Sequence, residues 1–156
     1  MPVRFSAIAM CFCLAVGLIL GAVAGSGADD LVFFVDAVRE NRIDEVRSFL
    51  QQGVDVDAQD MFEGNTGLHW AARQGLVEMA RLLIDYGANP NARSDDNKTP
   101  LHMAAMEGQK ELLVILIAHR ANVNALDRAG WTPLRWAEAQ KHEDIARILM
   151  AAGGRR

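Results

Sequence analysis

Four stretches of this sequence hold side chains that do chemistry in other settings. TPLHMAAMEG (99–108) carries His102 and Glu107, HEDIA (142–146) pairs His142 with Glu143, Asp95–Asp96 sets two carboxylates side by side, and NKT (97–99) is formally a glycosylation sequon. The first three fail on spacing or company, and the sequon matters only in a eukaryotic secretory pathway. A zinc-protease helix needs a second histidine four residues after the first, and Ala146 stands there. A metal site needs several ligands converging on one point, and His102 has no carboxylate or cysteine at ligand spacing. Adjacent aspartates followed by Lys98 read as solvated polarity on a turn. There is no glycine-rich phosphate loop and no serine elbow, and Ser48 and Ser94 have no histidine at a suggestive spacing. The expectation is a chain with no catalytic residue, metal, cofactor or small-molecule substrate.

The same decapeptide explains itself differently when it recurs. TGLHWAARQG (66–75), TPLHMAAMEG (99–108) and TPLRWAEAQK (132–141) place Thr66, Thr99 and Thr132 at a constant spacing of 33 residues. LLIDYGANPNA (82–92), LIAHRANVNA (116–125) and LMAAGG (149–154) fall into the same register. With one extra residue near Met61, FFVDAVRENRIDEVRSFLQQGVDVDA (33–58) aligns as a degenerate first copy, Ala37 under Ala71 and Gly53 under Gly87. A fixed period of this length marks an array of identical structural units.

Each unit reads as two short antiparallel helices and a turn. Thr66, Thr99 and Thr132 cap the first helix, with Pro100 and Pro133 just inside it, where a missing amide costs nothing. Gly75 and Gly108 supply the left-handed residue that ends it. VEMARLLIDYG and KELLVILIAHR then show apolar residues at helical spacing. Gly64, Asn97 and Gly130 suit the tight turn into the next threonine. One unit cannot bury its apolar face, whereas stacked units can.

The chain has 156 residues and is 51% hydrophobic, with a formal net charge of −4. Much of the apolar excess lies in AIAMCFCLAVGLILGAVA (7–24), which follows Arg4 and precedes GSGADD. A basic start, an apolar run and small residues form a signal-peptide pattern over residues 1–28, with cleavage expected after Ala24 or Ala28. The alternative is a retained membrane anchor over residues 7–24, in which Gly17, Gly21 and Gly25 have the spacing of a helix-pairing face. Both readings put the repeats outside the cytoplasm, periplasmic or secreted, and a membrane is involved only if that segment is retained. Cys11 and Cys13 both fall inside it, so no disulfide framework, thiolate metal site or cysteine nucleophile is expected beyond it. Without Arg4 the balance is 15 bases against 20 acids, a net of −5 that speaks against nucleic acid as a partner. Residues 29–60 hold nine acids and three bases, residues 126–156 four acids and six bases.

TPLHMAAMEGQKELLVILIAHRANVNA closely resembles an ankyrin repeat, and the motif runs over about residues 31–154. The resemblance implies an all-α solenoid of about four helix-turn-helix units with β-turn fingers, preceded by the signal peptide. It divides the chain into a degenerate N-terminal capping unit (29–59), repeats at 60–92 and 93–125, and a C-terminal repeat at 126–156. It also implies that His69 and His102 link adjacent turns by hydrogen bonds. Departures from the family pattern are Gly67 for proline, Arg120 and Lys141 for glycines, and Arg135 for histidine. A side chain in a left-handed position costs about 1 kcal/mol, so the last two units are expected to be the less stable.

What the resemblance leaves is recognition of another protein. Positions that the family varies, on the turn tips and at the end of the first helix, are Phe62, Glu63, Asn65, Arg73 and Gln74, then Asp95, Asp96, Lys98, Met106 and Glu107, then Arg128, Trp131 and Gln140. Trp131 is the first expected anchor and Phe62 the second, because aromatic, arginine and methionine side chains carry binding energy out of proportion to their number. Trp70 and Trp136 are read mainly as packing. The expected function is a non-catalytic interaction module that binds or stabilises an envelope protein through its concave face. A dedicated inhibitor of the immunity type is the alternative, and head-to-tail association of the acidic first unit with the basic last unit is a third possibility.

Overall fold

The computed structural model describes residues 27–156. The apolar segment 7–24 and the cleavage point after Ala24 lie outside the described residues, while Ala28 falls in the first turn of the first helix. Among the described residues there are eight α-helices in four pairs: α1 (Gly27–Arg39) with α2 (Ile43–Gln51), α3 (Gly67–Gln74) with α4 (Val77–Asp85), α5 (Pro100–Glu107) with α6 (Lys110–Ala118), and α7 (Pro133–Ala139) with α8 (Glu143–Ala151). Helices α1, α3, α5 and α7 lie side by side in one row, and in the other row α6 lies between α4 and α8. This is the all-α solenoid that the repeat implied. No helix among the described residues is long and apolar enough to cross a membrane.

The 33-residue period explains the core. Leu68, Leu101 and Leu134 are at most 2% exposed, and Ala71, Ala104 and Ala137 are fully buried between neighbouring first helices. Alanine there brings helix backbones close together, and a larger side chain would hold them apart. Leu83, Leu116 and Leu149 form the equivalent fully buried row on the second helices. Gly67, where the family has proline, is also explained by closeness: a Cβ there would stand 3.3 Å from Val38 Cγ2 and 3.4 Å from Leu83 Cδ1.

Local rules set the ends of the helices. Thr66 and Thr99 each form a reciprocal capping box with the histidine three residues on, and the Thr132 hydroxyl accepts the Arg135 N–H at 3.2 Å. Gly75 and Gly108 close α3 and α5 at φ 75° and 74°. Arg120 and Lys141 adopt the same left-handed region, φ 65° and 62°, without a glycine's freedom. Both are exposed. Replacing either by glycine, Arg120→Gly or Lys141→Gly, is expected to add about 0.5–1 kcal/mol, the relief of backbone strain less the extra freedom of the unfolded chain. Urea midpoints that do not rise would show that the strain is already relaxed by the turn.

The histidines link the layers. His69 Nδ1 accepts the Thr66 N–H at 3.1 Å, which leaves Nε2 as the protonated nitrogen donating to the Lys98 carbonyl at 2.9 Å. His102 repeats this with the Thr99 N–H and the Trp131 carbonyl, each at 3.1 Å. Two lesser ladders reinforce the stack: His142 Nε2 lies 3.1 Å from the Met106 carbonyl, and Asn91 and Asn124 donate to the carbonyls of Arg120 and Gly153. His102 and His142, the histidines of the stretches that looked chemical, are thus joints between repeats.

Candidate partner-binding site

The turns between helix pairs project as three fingers. They are joined along their backbones: the Asp95 N–H donates to the Glu63 carbonyl at 3.0 Å, and the Arg128 N–H to the Asp96 carbonyl at 2.8 Å. Two of the fingers are braced from below by an aspartate and an indole. Asp60 Oδ2 accepts the Trp70 indole N–H at 2.8 Å, while its Oδ1 takes the N–H groups of Phe62 and Glu63. Asp127 does the same with the indole of Trp136, again at 2.8 Å, and the N–H groups of Ala129 and Trp131. Burial alone would raise both carboxyls, but these hydrogen bonds outweigh it and hold Asp60 and Asp127 below the usual carboxylate range. Trp70 and Trp136 therefore do more than pack, and the Asp–Trp pairing at matching repeat positions is a signal that sequence reasoning missed.

The middle unit lacks this brace. Ser94 stands where Asp60 and Asp127 stand, and Met103 where the tryptophans stand. There the surface sinks into a concavity of about 250 Å³ lined by Phe62, Glu63, Asn65, Arg73, Ser94, Asp95, Asp96, Lys98, Met103, Met106 and Glu107. Nine of the thirteen residues expected to face a partner converge here. Ser94 and Met103 were not among the thirteen; the break in the Trp70–Met103–Trp136 series is the signal that would have found them.

The remaining placements differ. Phe62 is 84% exposed, the most open large apolar side chain among the described residues, beside exposed Met61. Asn65, expected on the turn tip, is only 1% exposed, and its Nδ2 donates to Glu63 Oε2 at 2.7 Å. Trp131 lies outside the concavity and is half-buried, its ring 4.6 Å from that of Trp136 with the Arg135 guanidinium 4.4 Å above it. Arg128 reaches Asp96 at 3.5 Å on the neighbouring finger. Gln74 and Gln140 are exposed at the ends of α3 and α7, away from the concavity.

The site is charged but largely self-paired. Arg73 sits between Glu63 at 3.7 Å and Glu107 at 3.9 Å and also covers the ring of Trp70 at 5.3 Å. Lys98 reaches Asp96 at 3.4 Å. Exposed pairs at these distances contribute at most about 1 kcal/mol each, so a partner can rearrange them at little cost. Among the described residues no three His, Cys, Asp or Glu side chains come together as metal ligands.

Comparison with known proteins agrees with the geometry. Residues 87–155 match the family described as "Ankyrin repeats (3 copies)" and residues 50–104 the family described as "Ankyrin repeats (many copies)". The chain is 53% identical over 55 residues to Ankyrin repeat domain-containing protein 49 of Drosophila melanogaster, covering 35% of this chain and 25% of that protein. It is 42% identical over 55 residues to Palmitoyltransferase ZDHHC17 of Homo sapiens (35% and 9%) and 39% identical over 62 residues to Inactive serine/threonine-protein kinase TEX14 of Bos taurus (40% and 4%). The chain spans a quarter or less of the length of these relatives, and what they share with it is the repeat. The two family matches together run from residue 50 to residue 155, over the same repeats that the helix pairs, finger turns and histidine links display, and the chain belongs to the ankyrin-repeat family.

Proposed function

We propose that this chain is a non-catalytic binding module that holds or stabilises another protein outside the cytoplasm, gripping it with the fingers and first-helix ends around the middle repeat. Ankyrin repeats are protein-interaction modules as a class. The observation that carries it is the convergence of nine variable-position side chains on one concavity flanked by the 84% exposed Phe62. An exposed aromatic beside methionines and arginine is the composition of an interface centre. The signal-like segment at residues 7–24 supports the location.

The test is affinity capture from the envelope fraction of the native host with the tagged full chain, Phe62→Ala and Trp131→Ala. A single protein recovered by the unmodified chain, lost with Phe62→Ala and retained in good part with Trp131→Ala, is the expected result. Equal recovery by all three would move the binding surface elsewhere on the solenoid. Recovery of the chain itself only from cytosol would end the extracytoplasmic reading.

A further inference from the structure

The first unit leaves apolar side chains in water that the repeat does not call for. By the register that sets Ala37 under Ala71, α1 would begin at Phe33, under Gly67. It begins at Gly27 instead, and the added turns carry Leu31 and Val32. With Val35 one turn on, they form one wall of a groove whose other wall is Met61 and Phe62 from the first finger. Val32, Met61 and Phe62 are exposed, and Val35 is buried at the base. Elsewhere the surface of this unit is polar: exposed Glu45 and Ser48 stand where the next unit buries Met79 and Leu82. The apolar lining is therefore particular to this groove, and exposed apolar surface gathered in one place marks an interaction site.

The polar side chains of the lining are already engaged. Asp36 and Arg39 pair at 3.4 Å, and the Arg39 guanidinium lies 4.6 Å from the centre of the Trp70 ring. Asp60 holds the first finger through the Trp70 indole and the N–H groups of Phe62 and Glu63. Gln59 Nε2 donates to the carbonyls of Gly64 and Arg93. What fits between these walls is an apolar group, since a polar one would be desolvated without a partner. The volume, about 150 Å³, is below the roughly 300–1,000 Å³ usual for a small-molecule or cofactor site. Around the groove, residues 29–60 hold nine acids against three bases, a field that favours a positively charged segment.

We propose that this groove seats one leucine- or phenylalanine-sized side chain of the partner protein, on a segment with lysine or arginine beside it. Seating that side chain against Val32, Met61 and Phe62 takes apolar surface of both proteins out of water, and the acidic unit attracts and orients the flanking cations. The inference rests on the proposal that this face binds protein, since Phe62 lines both hollows and the groove continues that surface on to α1. It adds the chemistry of what binds.

The test is selection of random twelve-residue peptides displayed on phage against the immobilised full chain. Affinities of synthetic copies are then measured for the full chain, Val32→Gln and Val114→Gln. Both variants place a neutral polar side chain at an exposed helix position and spare the core; Val114 lies on α6, outside the groove. Recovered peptides are expected to share a large apolar residue with lysine or arginine within two positions of it. Replacing that residue by serine is expected to weaken binding about tenfold or more, and Val32→Gln to weaken it about fivefold. Val114→Gln is expected to leave it unchanged. Glutamine in place of the flanking cations is expected to cost about threefold at low salt and less at high salt. Peptides that bind the full chain and Val32→Gln alike would overturn the groove and leave protein binding standing. Recovery of no peptide would overturn the groove as well, and capture of an envelope protein by the full chain would then still uphold the binding module. Light scattering in which the full chain self-associates and Val32→Gln does not would assign the groove to a second copy and overturn the partner.

Discussion

Between pH 7.5 and pH 5 the folded chain is expected to lose about 2 kcal/mol of stability through one residue, His69, and close to 3 kcal/mol once its titration is complete. Burial pushes its imidazole down from 6.5 to about 4; the Lys98 carbonyl and the charge of Asp60 oppose that shift, and His102 adds to it. Because the folded value lies below the unfolded one, the unfolded chain takes up the proton first. The stability is therefore complete above about pH 6.5 and is lost as pH falls from there towards 4. The geometry gives the same sign. A proton on Nδ1 would turn the acceptor of the Thr66 N–H into a donor facing a donor. His102 is lowered in the same direction, by burial first, and adds to the loss.

Urea midpoints at half-unit pH steps check this. Asp60 and Asp127, held below the usual carboxylate range, remain charged through that window and lose their contribution only as pH falls below about 3.8, so the two stages separate. His69→Gln keeps a side chain able to complete the capping box but removes the titration. It is expected to be less stable than the unmodified chain at pH 7.5, having lost the link to Lys98, and to have a flatter pH profile. A midpoint constant from pH 7.5 to 5 in the unmodified chain would mean that His69 titrates alike in the folded and unfolded chain, its imidazole hydrated in the fold.

The helices and turns were legible because the sequence states the same instruction three times. Thr66, Thr99 and Thr132 at a constant interval name the caps, and the left-handed φ of Gly64, Asn97 and Gly130 follows from residue types that tolerate it. His69 and His102 as joints between turns came from the family pattern, and the structure bears that out. The concavity was legible only in its rim. Variable positions marked Phe62, Arg73 and Glu107, but its lining also holds Ser94 and Met103, which interrupt a pairing between residues nine or ten apart that periodicity of single residues does not reveal. The burial of Asn65 was equally out of reach. A polar residue on a tight turn is ordinarily solvated, whereas this amide is buried and donates to Glu63. The setting of Trp131 was hidden for a related reason: that its ring lies 4.6 Å from the indole five residues on is a contact that single-residue periodicity does not show.

Leu101→Ala is expected to cost about 3 kcal/mol, within the 2–5 kcal/mol typical of a fully buried leucine, and to change how the chain unfolds as well as when. Leu101 is 0% exposed on α5, the helix that packs between α3 and α7. In a linear array each unit leans only on its neighbours, so weakening the middle repeat removes support from both sides at once. The tryptophans are placed to report this, Trp70 on α3 and Trp131 with Trp136 in the last unit. In a Trp70→Phe background indole fluorescence follows the C-terminal end alone, and far-UV circular dichroism follows all the helices. The two signals are expected to give one transition for the unmodified repeats and two separated transitions after Leu101→Ala, because α7 and α8 then melt without α3 and α4. Leu149→Ala is the control. It removes an equally buried leucine from α8, which packs against α6 and α7 at the end of the described stack, so it weakens the last unit while leaving the coupling between α3 and α5 intact. Coincident transitions in Leu101→Ala would show that the four helix pairs fold as one cooperative unit, and that the middle repeat is no weaker a link than the interfaces on either side of it.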